Sequence, residues 1–104
     1  MTIDAANALV RAIRGAFPPH VEFSVEEIAS RSWASATFAG ARHELVFTLA
    51  GEGADACASA FLANLDVADF PVHRHLLADV ALVYDERREG LVRIKLEALT
   101  IEEG

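Results

Sequence analysis

The chain has 104 residues, and its 9 lysines and arginines against 16 aspartates and glutamates give a formal net charge of −7. Hydrophobic residues make up 53% of the chain, which argues against intrinsic disorder, and no apolar run approaches the ~20 residues of a membrane-spanning helix. The acidic balance disfavours nucleic acid as a partner, because nonspecific binding to phosphates needs a basic face.

The length predicts one domain over residues 1–104. The single cysteine, Cys57, excludes an internal disulfide and a cysteine-based zinc site. The N-terminus does not resemble a secretory signal, so we expect a cytoplasmic protein. Abundant alanine and the preference for arginine over lysine are typical of a GC-rich bacterial gene.

Residues 2–15 are predicted to form an amphipathic helix, because apolar residues recur at three- and four-residue steps. Thr2 or Asp4 can cap its N-terminus, and Gly15 followed by Pro18 ends it.

Alternation of apolar and acidic residues from Val21 predicts a strand, whereas residues 24–27 also match a helix capping box. We favour one long, bent or bulged strand. A turn centred on Gly40 then leads into a strand over residues 43–50, and this hairpin would put Trp33 opposite Phe47 on the core face.

A second helix is predicted over residues 53–65, with a stripe of small residues around Phe61. The last third alternates over residues 76–84 and 92–98 around a charged turn at residues 85–90, which predicts a second hairpin. This pairing would bring Asp79 close to Lys95.

The element order α-β-β-α-β-β predicts an α+β two-layer sandwich, in which a largely antiparallel four-stranded sheet carries both helices on one face. The same order results when the first strand of a ferredoxin-like fold is moved to the end. The other sheet face would be open and of mixed polarity, and we expect it to form a dimer interface that includes Val83, Arg93, Lys95 and Leu99.

The histidines suggest a competing interpretation. In a strand, His73 and His75 would point to the same side, where they could bind a metal ion together with His43 and Asp79. Asp79 lies four residues beyond His75, about 13 Å along a strand, which is too far unless the strand bends. The simpler interpretation is that His73 and His75 lie in a solvated loop, and we predict no metal.

Two further patterns bear on ligand binding. Arg31 and Trp33 lie on a strand of mostly small residues, which could form the floor of a ligand pocket or a binding surface together with His43, His73 and His75. The segment from Gly51 to Ala56 matches a permissive dinucleotide pattern, but its acidic residues oppose phosphate. We therefore expect a tight turn there and no cofactor.

The sequence favours a non-enzymatic module that self-associates, as a homodimer, and binds a protein or small ligand. The alternative is a small metal-dependent or acid/base enzyme that uses the histidines and Asp79. The enzyme requires at least two histidines and a carboxylate to converge in a concave pocket, whereas the module requires an apolar surface and scattered histidines.

Overall fold

The computed structural model describes residues 5–65 and 71–103, and it contains the elements in the predicted order. In chain order these are α1 (Ala5–Arg14), β1 (Glu22–Ala34), β2 (Ala39–Ala50), α2 (Ala54–Ala63), β3 (His75–Arg88) and β4 (Leu91–Glu102). The predicted caps of the first helix, Thr2 and Asp4, lie outside the described residues.

The strands form one sheet in the order β1-β2-β4-β3, and every neighbouring pair is antiparallel. Each hairpin supplies one edge strand and one central strand. The last strand therefore lies in the interior of the sheet, as expected for a ferredoxin-like sheet whose first strand has moved to the end of the chain. The predicted α+β class and its antiparallel four-stranded sheet are confirmed.

Both helices cover the same face of the sheet, where an aromatic cluster joins them. The ring of Phe47 on β2 lies 5.9 Å from that of Phe17, which follows α1, and 6.2 Å from that of Phe61 on α2. Alternate residues of the two central strands complete this core, and they are Leu45, Phe47, Leu49, Val92, Ile94 and Leu96. Burial of this apolar face is the main force that holds the two layers together.

Helix α2 packs through a face slightly different from the predicted stripe. Ala54 and Ala58 are buried and Cys57 and Phe61 are half-buried, whereas Ala60 is exposed. The preceding turn uses Gly51 and Gly53 in left-handed conformations, with φ of 104° and 85°. A tight strand-to-helix turn, as predicted, explains both glycines.

Strand β1 is continuous, so the helical alternative at residues 24–30 is wrong. Its register on β2 shifts between Val25 and Glu27, which makes Glu26 a bulge. A bulge adds one residue and increases the local twist, and this irregularity is what gave the sequence its ambiguous pattern.

The predicted register of the first hairpin is also wrong. The turn comprises residues 35–38, where the amide of Ser35 donates to the carbonyl of Phe38 and the Ser35 hydroxyl accepts from the Phe38 amide at 3.0 Å. Trp33 consequently pairs with Gly40, and Phe47 pairs with Val25. The Ser35 side chain fixes the turn earlier than the glycine suggested.

The second hairpin has a two-residue turn at Glu89 and Gly90, because Arg88 pairs with Leu91. Its strands are therefore longer than predicted. Bulges at Ala78 and Val83 shift the register, so that Asp79 pairs with Leu99 and the predicted contact of Asp79 with Lys95 is not formed. Lys95 instead pairs across the strands with Tyr84.

Gly40 lies where two strands and an aromatic ring approach most closely. A Cβ atom there would overlap the carbonyl oxygen of Thr100 on β4 and stand 2.9 Å from Cζ2 of Trp33. The backbone oxygen cannot move without separating β2 from β4. Glycine is therefore required at this position by close approach.

We expect Gly40→Ala to lower the free energy of unfolding by about 1–3 kcal/mol, as overpacking does in other proteins. The measurement is urea denaturation followed by circular dichroism. Gly15→Ala is the matched control, because a Cβ at Gly15 would meet its nearest atom at an ordinary 3.4 Å. Equal stability of the two variants would contradict the close approach.

Candidate functional site

Three polar residues occupy the helix-facing side of the sheet at the end where the hydrophobic core stops. They are Ser30 on β1, His43 on β2 and Thr100 on β4. Ser30 pairs directly with His43, and Thr100 pairs with Ala41, two residues from His43. Since alternate residues of a strand share a face, the register brings all three side chains together.

The side chain of His43 is held on both sides by hydroxyl groups. Its Nδ1 lies 2.7 Å from Ser30 Oγ, and its Nε2 lies 2.9 Å from Thr100 Oγ1. Thr100 Oγ1 also donates to the carbonyl of Ala41 at 3.4 Å. One consistent pattern has the Ser30 hydroxyl donating to Nδ1 and Nε2–H donating to Thr100, whose own proton goes to Ala41.

Burial makes this network essential to the fold. His43 is 2% exposed and Thr100 is fully buried, whereas Ser30 lies on the exposed edge strand. A buried polar atom without a partner is costly, and each ring nitrogen of His43 has one. The hydroxyl groups of Ser30 and Thr100 therefore provide the hydrogen bonds that the buried His43 ring needs.

His73 and His75 are not arranged as two residues of one strand. Arg74 between them has a left-handed φ of 61°, and β3 begins only at His75. His75 is buried and its Nδ1–H donates to the carbonyl of His73 at 2.7 Å. The same-side spacing predicted for these two histidines is therefore wrong, because the chain turns between them.

A cavity of about 560 Å³ opens beside the cluster, between the start of α1 and the ends of the strands. Its lining includes Ala6, Ser30, Trp33, His43, His75 and Thr100. Trp33 is half-buried, and its indole Nε1–H is enclosed without a hydrogen-bond partner in the described residues. Three of the predicted ligand-binding residues, Trp33, His43 and His75, thus border one cavity.

Two other predicted residues, Arg31 and Asp79, lie on the open face. Asp79 pairs with Leu99, a position that alternates with the buried Ala98 and Thr100, so its carboxylate is on the opposite side of the sheet from His43. Arg31 and Asp79 border a second depression of about 390 Å³, to which Ser30 and His43 also contribute. Within residues 5–65 and 71–103, no three His, Cys, Asp or Glu side chains are grouped to hold a metal ion.

The residues predicted to form an open-face interface are largely engaged within the chain. Arg93 binds Glu26 at 2.7 Å and Glu86 at 3.6 Å, and Lys95 binds Glu44 at 2.9 Å. The coulombic attraction of Glu26 raises the pKa of Arg93, and the hydrogen bond to Glu44 raises the pKa of Lys95. Both side chains therefore stay charged and are already paired with carboxylates of the same chain.

The other two predicted interface residues are less engaged. Val83 is an exposed bulge on the edge strand β3, and Leu99 is half-buried on β4. Val46, in the middle of the same open face, is buried near Glu44 and Lys95. The open face is thus a layer of ion pairs over small apolar patches.

The chemistry of the cluster is limited by its third member. A serine hydroxyl hydrogen-bonded to a histidine resembles the first two members of a nucleophilic triad. Here the group on the far side of the ring is the uncharged Thr100 hydroxyl, which cannot stabilise an imidazolium as a carboxylate does. The cavity can offer hydrogen-bond donors and acceptors to a small polar ligand.

Sequence reasoning missed Thr100 and gave Ser30 only a steric role. The available signal was the alternation on β4, where Thr100 follows four buried apolar residues at the same two-residue step. A hydroxyl at a core position usually has a hydrogen-bond partner, and His43 was the predicted core residue able to provide one.

No family model matches the sequence, and the search of curated proteins found no match. Among solved structures, the chain is similar to a chain in "Virion of native gene transfer agent (GTA) particle", with a TM-score of 0.53 and 24% sequence identity. The alignment covers 92% of this chain and 84% of that chain. Among the described residues, no helix is long and apolar enough to cross a membrane. The likeness is one of fold.

We expect Thr100→Val to lower the free energy of unfolding by about 1–3 kcal/mol, because it leaves the buried Nε2 of His43 facing a methyl group of nearly the same shape. Ser30→Ala is the control, and we expect a loss below about 1 kcal/mol, since water reaches the edge strand and replaces the hydroxyl. Urea denaturation measures both. Equal losses would contradict the assignment of Thr100 as the essential buried partner.

Proposed function

We propose that this protein is a non-enzymatic subunit that self-associates through its sheet within a multi-copy assembly. The observation that carries this proposal is the form of the sheet edges. They are formed by β1 and β3, which have 13 and 14 residues. Long edge strands present rows of backbone donors and acceptors that can pair with another strand, and the bulges and charges on β1 and β3 leave most of this length unpaired and uncovered by the described residues.

The side chains on these edges support the same proposal. Leu76 is 56% exposed, Leu82 is 44% exposed and Ile28 is 39% exposed. The bulge residue Val83 is also exposed. Single exposed apolar residues are ordinary, but four on two edge strands form apolar margins along an unpaired backbone, which favours contact with protein.

The similar chain belongs to a structure described as a virion particle. We carry over from it only the idea that a subunit of this fold functions inside an assembly. The acidic net charge of −7 supports the accompanying proposal that nucleic acid is not the partner. A cytoplasmic location remains part of the proposal. A homodimer is the smallest complex that the proposal requires.

The enzyme alternative has less support. It requires at least two histidines and a carboxylate to converge, and His43, His75 and Glu102 do border one cavity. The predicted carboxylate, Asp79, belongs to the face opposite His43, however, and both ring nitrogens of His43 already contact hydroxyls. We therefore interpret the Ser30–His43–Thr100 network as a stabilising element and the cavity beside it as a secondary binding site for a small polar ligand.

We expect wild-type protein to associate with increasing concentration in sedimentation velocity experiments. Leu82→Lys should weaken the association at least about tenfold, or 1.4 kcal/mol, because it puts a charge into the apolar margin of β3. Ala60→Lys adds the same charge on the exposed side of α2 and should leave association unchanged. Wild-type protein that remains monomeric at high micromolar concentration would overturn the proposed function.

A further inference from the structure

We propose that the sheet continues from one copy of the chain to the next, with β3 of one copy paired antiparallel to β1 of a second copy. This inference rests on the proposed self-association and specifies its surface. The occupant of each sheet edge is then the opposite edge of another copy, so the contact is head-to-tail and each copy uses two different surfaces.

The direction of the strands permits this contact. Because the order is β1-β2-β4-β3 and every pair is antiparallel, the two edge strands run in opposite directions. A second copy placed beside the first in the same orientation therefore presents β1 antiparallel to β3. Along a row that crosses the sheet, hydrogen-bonded and non-hydrogen-bonded pairs alternate from one strand pair to the next. Because each copy contributes an even number of strands, this alternation continues unchanged into the next copy.

The charges on the two edges match when the second copy is not shifted along the strands. One row of directly opposed residues crosses the sheet from Arg31 on β1 to Asp79 on β3, through Arg42 and Leu99. An unshifted neighbour thus brings its Arg31 opposite Asp79. Opposite charges at directly opposed positions stabilise a strand pair, and like charges destabilise it.

A second charged pair lies near the other end of the same edges. The row that starts at Glu22 on β1 ends at Arg88 on β3, so the same unshifted neighbour also opposes these two residues. Within residues 5–65 and 71–103, the side chains of Arg31, Asp79, Glu22 and Arg88 make no hydrogen bond or ion pair that a contact with a neighbour would have to break.

The exposed apolar residues match in the same register. Ile28 and Leu82 end one row, through Leu45 and Leu96, and therefore lie on the helix-covered face of their strands. Trp33 and Leu76 end another row, through Gly40 and Ile101. An unshifted neighbour covers both exposed leucines of β3 with an apolar side chain of β1.

One bulge of each edge strand lies beside the same row, whereas the second bulge of β3, at Ala78, has no counterpart on β1. Glu26 is inserted before Glu27 on β1 and Val83 is inserted next to Tyr84 on β3, and the row from Glu27 ends at Tyr84. Both edges therefore deviate from regular pairing beside one shared row. The two bulges flank that row, with Glu26 on the side of Val25 and Val83 on the side of Leu82, so the extra twist that they add is concentrated around one level of the contact.

A two-fold contact of β3 with itself fits less well. Pairing residues 75–88 about their centre, counted along the sequence, opposes Leu76 to Arg87 and Asp79 to Tyr84. No directly opposed pair in this arrangement carries opposite charges. The head-to-tail contact therefore forms more pairs of opposite charge than this two-fold contact does.

The decisive experiment is disulfide cross-linking in a Cys57→Ala background. Ala29 and Ala81 are exposed and end one row, through Glu44 and Glu97, so cysteines there would be directly opposed across the contact. Opposed Cβ atoms in paired strands come within about 5 Å, close enough for a disulfide after small adjustment.

We expect an equimolar mixture of Ala29→Cys and Ala81→Cys proteins to form a cross-linked heterodimer on mild oxidation. Neither variant alone should cross-link, and a chain with both substitutions should give a ladder of oligomers. The control mixture of Ala29→Cys with Ala60→Cys, on the far side of α2, should remain uncross-linked. Cross-linking of either variant with itself, or a mixture no better than the control, would overturn the head-to-tail contact.

A charge exchange checks the register independently. Arg31→Asp alone should weaken association several-fold, because it opposes two carboxylates, and adding Asp79→Arg in the same chain should restore most of it. Sedimentation of the wild type separates the two proposals. A wild-type monomer at high micromolar concentration fails the proposed function, whereas association without the cross-link or the charge rescue fails only this contact.

Discussion

The length of the strands relative to the helices is the constraint on which the rest of this structure depends. Each helix has 10 residues, or about 15 Å, whereas a central strand of 12 residues extends for about 40 Å. Neither helix is therefore long enough to span the sheet along the direction of its strands. The molecule is correspondingly elongated, with extents of 47 × 24 × 23 Å. Its polar cluster lies at the end of the sheet where the apolar core stops, and its cavity opens there between the start of α1 and the strands.

At the end of the sheet beyond the aromatic core, the uncovered strands are stabilised by hydrogen bonds in place of apolar packing. His43 fills the space that a large apolar residue would otherwise occupy, and its two nitrogens are satisfied by residues from both neighbouring strands. The network thereby joins β1, β2 and β4 at a level where hydrophobic burial is incomplete. Gly40 brings β2 close to β4 at the same end, which keeps the strands together there.

Features that depend on periodicity could be predicted from the sequence. The strand register could not, because a single bulge or turn residue shifts it. Element order, the sheet and its core face follow from alternation and helical spacing, and these predictions are confirmed. The bulge at Glu26 and the turn held by Ser35 each change the register of the first hairpin, and no periodic signal records them. The error in register moved Trp33 to the wrong partner, and the similar bulges in β3 separated Asp79 from Lys95.

The candidate site was predictable in part for the same reason. His75 was selected for its two-residue spacing from His73, His43 as a histidine of another hairpin, and Trp33 for its place on a strand of small residues. These three residues border one cavity. Their connection through Thr100 depends on β2 lying beside β4, which is a property of strand order and not of local sequence. The open-face interface predicted around Arg93 and Lys95 stays a prediction. The ion pairs of these two residues could not be read from local sequence because their acidic partners come from other strands.

The positions of the edge charges are best understood from the width of the sheet. Arg31 and Asp79 end the same row but are separated by three strand spacings, about 14 Å along the sheet. Exposed charges farther apart than the ~8–10 Å screening length in physiological salt interact weakly, so their opposition stabilises a single chain little. The same holds for Ile28 and Leu82, which cannot touch across two intervening strands. These matches gain stabilising value only when the edge of one copy meets the opposite edge of another, and for this reason the proposed contact uses the edges rather than the ion-paired open face.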